Sequence, residues 1–151
     1  MNTKAIGLAA MNPLVKFCTA LTVLSLAGTA LAAPAAAPHA AACVAALKAN
    51  ETRLAESLKA GALVEAELLK VVRSGIAIIG TQYLAGLREA EARELLQAAE
   101  KDFQALPRSA AEANQAQCLQ EGQALYTDAS PIERSLITTA AKRRIKRLTA
   151  A

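Results

Sequence analysis

Imidazole and indole are almost missing from this chain. Its 151 residues hold one histidine, no tryptophan, two tyrosines and two phenylalanines. With His39 as the sole imidazole, a serine or cysteine nucleophile has no ordinary general base elsewhere in the sequence. There is no CxxC, no CxxCH, no HExxH and no glycine-rich phosphate loop, which removes the common redox, haem, zinc-protease and nucleotide signatures. Downstream of residue 32 the aromatics are Tyr83, Phe103 and Tyr126, too few to stack a run of nucleic-acid bases. No segment alternates strictly between apolar and polar residues, so half-buried strands are not expected. The nearest acid/base candidates are Glu65 with Glu67 and Glu91 with Glu94. Both pairs sit among lysines and arginines, as on a solvated helix face. The chain is therefore expected to be non-enzymatic, with no cofactor and no metal site.

What the sequence does contain begins with a leader. Lys4 and Lys16 precede an apolar run from Cys18 to about Leu31, which ends in Ala30-Leu31-Ala32. A cationic start, a short apolar stretch and an A-x-A site describe a secretory signal over residues 1–32, cleaved on export. Cys18 stands at the head of the apolar run rather than after a lipobox. Residues 33–42, rich in alanine with Pro34 and Pro38, read as a flexible tether, which would make His39 an exposed bystander. Residues 43–151 then form a single helical domain. Export leaves Cys43 and Cys118, and an isolated pair in an oxidising compartment is most simply a disulfide. Zinc would need further ligands, and the tether reading puts His39 out of reach.

Helical periodicity runs through the rest of the chain. Cys43, Val44, Leu47, Leu54 and Leu58 share one face, and Gly61 is a plausible stop. The next stretch, from Gly61 to Leu87, is the densest apolar block beyond the leader and carries no charge between Arg73 and Arg88. Val64, Leu68, Val71, Val72, Gly75, Ile76, Ile79 and Tyr83 fall on one side of it at 100° per residue. Ile78, Thr81 and Leu84 project elsewhere, so this helix needs cover on a second side; these three are the candidate partner surface. Gly75 and Gly86 share a face and are read as sites of close helix approach. Gly86 leaves open whether residues 62–106 form one long helix or two. Ala92, Leu95, Leu96, Ala99, Phe103 and Leu106 line the following helix, which Pro107 ends. Two capping boxes follow, Ser109…Glu112 and Ser130-Pro131…Glu133, each announcing a helix. The class is all-α: a small bundle of four to five helices, stapled by Cys43–Cys118.

Charge is distributed unevenly. The chain has 17 basic and 13 acidic residues, yet Lys142, Arg143, Arg144, Lys146 and Arg147 crowd the last helix and leave a mildly acidic body. A basic amphipathic helix can meet anionic lipid or an acidic protein, and export makes nucleic acid an unexpected partner. The reading with most support is an exported, periplasmic accessory protein of the bacterial cell envelope that binds another protein or itself. The alternative is a peripheral membrane protein with Leu136, Ile137, Ile145 and Leu148 in lipid and the cationic cluster at the headgroups.

Overall fold

Alanine-rich sequence, short polar turns and two left-handed glycines fold residues 36–150, the part described in this computed structural model, into five α-helices. They are α1 (Ala36–Lys59), α2 (Glu65–Leu84), α3 (Glu89–Gln104), α4 (Arg108–Asp128) and α5 (Pro131–Ala150). The chain is all-α over this span, and Cys43 of α1 is joined to Cys118 of α4. The bond closes a loop across 75 positions, which stabilises the fold by about 4 to 5 kcal/mol through the unfolded chain's lost entropy. The leader over residues 1–32, with Cys18, lies outside the described residues.

Helix α1 starts inside the stretch that composition assigns to a tether. Alanine has the highest helix propensity, and Pro38 falls in the first turn, where its missing N–H has no intrahelical acceptor to lose. Ala37 and Ala40 are buried, so residues 36–42 are a packed helical turn and not a linker. This places His39 on the same helix as Cys43, one turn before it.

Both glycine stops are formed. Gly61 has φ +89° and Gly86 φ +96°, a region that costs glycine nothing and other residues a clash. At each, the amide after the glycine reaches back to the last turn: Ala62 N–H to the Ser57 carbonyl and Leu87 N–H to the Gln82 carbonyl, both 3.0 Å. The companion bonds, Gly61 to Leu58 and Gly86 to Tyr83, complete a Schellman closure in each case. Residues 62–106 therefore hold two helices, and Gly86 acts as a stop rather than a point of close approach.

The box at Ser130 is reciprocal. The Ser130 N–H donates to Glu133 Oε2 at 2.7 Å, and the Glu133 N–H donates to Ser130 Oγ at 3.3 Å. The box at Ser109 does not form. Pro107 supplies the N-cap of α4 and Ser109 falls one residue inside the helix. Glu112 instead takes a hydrogen bond from Arg108 Nε at 2.8 Å.

Helix α2 is the middle of the bundle, packed against α1, α4 and α5. The core joins Leu47 and Leu54 of α1, Leu68, Val71, Val72 and Ile78 of α2, and Ala141 and Ile145 of α5. Gly75 and Gly80 inside α2 each cost about 1 kcal/mol of helix propensity relative to alanine, offset by packing on several sides. Neither is a contact point, since a Cβ at either would meet nothing within 4 Å among the described residues. The close approach belongs to Gly122 of α4. A Cβ there would lie 2.6 Å from Ser74 Cβ, 2.8 Å from the Ser74 carbonyl oxygen and 2.9 Å from its Cα. Helix α4 thus rests on the α2 backbone.

Two polar links complete the bundle. Glu51, buried in α1, pairs with Arg144 of α5. The Arg73 guanidinium lies 4.7 Å from the centre of the Tyr126 ring, and the Tyr126 hydroxyl is 3.0 Å from Thr138 Oγ1, so α2, α4 and α5 are tied in series.

Gly122→Ala should lower stability by about 1 to 3 kcal/mol through overpacking against an immovable backbone, whereas Gly75→Ala should be neutral or stabilising; denaturant midpoints of the two variants give the comparison. Hydrogen bonds from Ser130, its hydroxyl first and its N–H second, hold the Glu133 carboxyl below its usual value. Its stabilising effect is thus complete above the ordinary carboxylate range and fades as pH falls through the lowered folded-state value. Melting curves against pH should show Glu133→Gln losing stability at neutral pH and converging on the parent in acid.

Candidate functional site

Small side chains on α1 leave room for a groove. Ala37, Ala40, Ala41 and Val44 face Leu95 and Leu96 of α3 across an apolar cavity of about 270 Å³, with Ile78 and Ile79 of α2 along its side. Because the alanines reach only one methyl from their backbone, they cannot cover the α3 leucines fully. None of the α3 residues is buried, and among the described residues α1 is the one neighbour that α3 packs against extensively. Polar groups stand at the mouth. Glu89 and Arg93 form an i,i+4 ion pair at 2.8 Å, so the rim carries little net charge, and Gln82 and Tyr83 complete the lining.

The candidate surface on α2 is divided by the fold. Ile78 is 4% exposed and belongs to the core, while Leu84 is 84% exposed. Thr81 is exposed and donates its hydroxyl to the Ala77 carbonyl of its own helix at 3.0 Å. Ile79, read from the sequence as buried, is 38% exposed, and Tyr83 is 47% exposed. The reason is the Gly122 contact: α4 lies across Ser74 and turns the covered side of α2 toward Ser74, Ala77 and Ile78, all buried. The second cover that α2 requires thus comes from the chain's own α4. What stays open is Ile79 and Tyr83 on the groove side, and Leu84 beyond it.

A second cluster sits where α1 crosses α4. His39 Nε2 lies 2.8 Å from Glu121 Oε2. Cys43 Sγ is 3.9 Å from the same nitrogen and 3.8 Å from the same oxygen. Gln117 donates to Glu121 Oε1 at 2.9 Å. Hydrogen bonds to His39 first, and to Gln117 second, hold the Glu121 carboxyl below its ordinary value. The sequence hides this cluster, because Glu121 becomes informative only once α4 is phased by Cys118 and His39 is known to be helical. The spacings that could have exposed it are His39 to Cys43, four apart, and Cys118 to Glu121, three apart, each a same-face pair on a helix.

The basic end of α5 is also divided. Arg144 is taken by Glu51, while Lys142, Arg143, Lys146 and Arg147 are exposed. Ala141 and Ile145 are core, and Leu148 packs against it. Of the apolar face that a lipid-lying α5 would immerse, Ile145 and Leu148 are therefore already used by the bundle, whereas Ile137 is half-buried and Leu136, with Ile132 before it, is exposed. No helix among the described residues is long and apolar enough to cross a membrane. The carboxylates Glu65, Glu67, Glu91 and Glu94 are all exposed.

Compared with family models, with curated proteins and with solved structures, the chain finds no match.

An aspartate at position 78 would bury an unpaired charge, a loss of several kcal/mol against a total stability of about 5 to 15 kcal/mol. Ile78→Asp should be unfolded by far-ultraviolet circular dichroism, while Ile79→Asp, at the groove wall, should remain folded with a lowered melting temperature.

Proposed function

We propose that this chain is a non-enzymatic binding protein of the bacterial cell envelope, exported to the periplasm, that holds a partner protein through the groove between α1, α2 and α3. The observation that carries this reading is the apolar cavity lined by exposed Ile79 and Tyr83, with the exposed Leu84 next to Tyr83 in the chain. At about 270 Å³ it falls just below the usual range of small-molecule pockets, about 300 to 1,000 Å³. It suits an apolar anchor of a partner helix better than a whole cofactor. Recognition of that kind lays an amphipathic helix into a groove, and the self-neutralised Glu89–Arg93 rim favours shape and apolar burial over charge. The Cys43–Cys118 bond and the secretory character of residues 1–32 support export.

A double variant, Tyr83→Ala with Leu84→Asp, tests the reading. Parent protein immobilised in a periplasmic extract should retain a reproducible protein partner or a second copy of itself. The variant should retain at least tenfold less while keeping the parent's melting temperature. Equal retention by both, or a strict monomer that retains nothing, would overturn the groove as the binding site.

One observation favours a second role, contact with anionic membrane surfaces: the four cations Lys142, Arg143, Lys146 and Arg147 are exposed together. With Ile145 in the core, such contact would be electrostatic and without insertion. Flotation with vesicles of anionic lipid should then be abolished by raised salt, because screening shortens the reach of exposed charge. Salt-resistant flotation would rule it out.

A further inference from the structure

A disulfide sulfur, an imidazole and a carboxylate converge where α1 meets α4, at a corner separate from the groove. His39 and Cys43 occupy successive turns of α1, Cys118 and Glu121 successive turns of α4, and the Cys43 and Cys118 Cα atoms are 5.0 Å apart. The His39, Cys43 and Glu121 donor atoms all lie within 4.8 Å of one another. We propose that reduction of the Cys43–Cys118 disulfide converts this corner into a four-donor site for a zinc-class divalent cation, held by Cys43, Cys118, His39 and Glu121.

The donor geometry supports a tetrahedral ion. With zinc bonds of about 2.0 to 2.3 Å, neighbouring donors stand about 3.3 to 3.8 Å apart. Cys43 Sγ is already 3.9 Å from His39 Nε2 and 3.8 Å from Glu121 Oε2. The third edge of this face, His39 to Glu121, is a hydrogen bond of 2.8 Å that opens slightly as the ion replaces the shared proton. Cys118 is the fourth donor by tether: its sulfur is bonded to that of Cys43 and lies 3.1 Å from Asn114 Oδ1, so on reduction it has to turn from Asn114 toward the three-donor face. Outer support is in place too. Gln117 holds the other Glu121 oxygen at 2.9 Å, the kind of partner that orients a ligand and tunes its basicity. Cysteine, histidine and carboxylate are also the donor set that zinc accepts.

The switch is an ordinary thiol–disulfide exchange. A thiolate of an external dithiol attacks one protein sulfur, forming a mixed disulfide and expelling the other sulfur as a thiolate. The reductant's second thiolate then displaces the first protein sulfur and leaves as a cyclic disulfide. Two electrons pass to the protein, whose two thiols give up their protons as the cation binds. Exchange with an external disulfide runs the sequence backwards, re-forms Cys43–Cys118 and releases the ion.

The test uses the full mature chain, oxidised or reduced with a phosphine under anaerobic conditions, titrated with zinc and with cobalt as a spectroscopic stand-in. The reduced chain should bind one ion per molecule, show thiolate-to-cobalt charge transfer with tetrahedral bands, and resist alkylation at both cysteines. The oxidised chain should bind at least a hundredfold more weakly. His39→Ala and Glu121→Gln should each weaken binding at least tenfold in the reduced form. Circular dichroism accompanies every titration, so that a reduced apo chain that has lost helix should regain it on adding zinc. A reduced chain that takes up no metal, folded or unfolded, would overturn the proposal. Equal affinity in the oxidised form, or unchanged affinity in both the His39 and Glu121 variants, would overturn it as well.

Discussion

The contact between Gly122 and Ser74 sets the geometry of the rest. The Gly122 backbone lies directly against the Cβ, carbonyl oxygen and Cα of Ser74, with no Gly122 side chain to hold the helices apart. That touch brings α4 close enough for Cys118 to reach Cys43, for Tyr126 to sit beside Arg73 and for Ser74 and Ala77 to be buried. A helix held at ordinary side-chain distance, about 8 to 10 Å between axes, would lose these contacts together. The disulfide then acts on an arrangement that packing has already selected. Its entropic effect lies in the unfolded chain, whereas the Gly122 contact specifies which folded form the closed loop encloses.

Periodicity made most of the helices legible, because stops and starts in this chain are written in local chemistry. Gly61 could be read as a stop from its neighbours alone, whereas Gly86 left one helix or two open, because only the folded chain shows that it takes the left-handed φ that interrupts the ladder. Ser130 with Glu133 was equally readable, because all its partners lie within one turn. The cysteine pairing followed from there being two sulfurs beyond the leader. Ser109 misled for a related reason: Pro107 and Arg108 offered the same turn a competing arrangement, and only the folded geometry shows which one prevails.

Phase was harder to read than boundaries. Along α2, the residues Ile76, Ile78 and Ile79 are chemically equivalent, and a pattern of apolar positions cannot say which two of three neighbours face inward. The decision came from a glycine almost fifty positions later. The same holds for His39, whose alanine-rich surroundings look like a linker until Ala37 and Ala40 are seen to pack. Alanine is ambiguous in this way because it is the best helix former and also the poorest source of apolar burial.

Charge in this bundle divides by burial rather than by position in sequence. Five basic residues crowd one helix, but Arg144 reaches inward to Glu51 and stands apart from its neighbours. A pair with one shielded member is costly to break, since the partner is left desolvated, while the four exposed cations can be changed with little effect on the fold. Counting the cluster as one surface would combine a structural residue with four free ones.

Helix α3 has a consequence of its own. It contributes no buried residue, ends at a Schellman turn on one side and at Pro107 on the other, and lies wholly inside the covalent loop from Cys43 to Cys118. A helix whose apolar side chains are only partly buried is the kind of element that opens at lower free energy than the core. It can leave α1 without unthreading anything, and the loop keeps it tethered at both ends while it is away. The bundle is in this sense two bodies of unequal firmness on one covalent ring: four interlocked helices, and a fifth that the ring keeps at high local concentration over its own docking face.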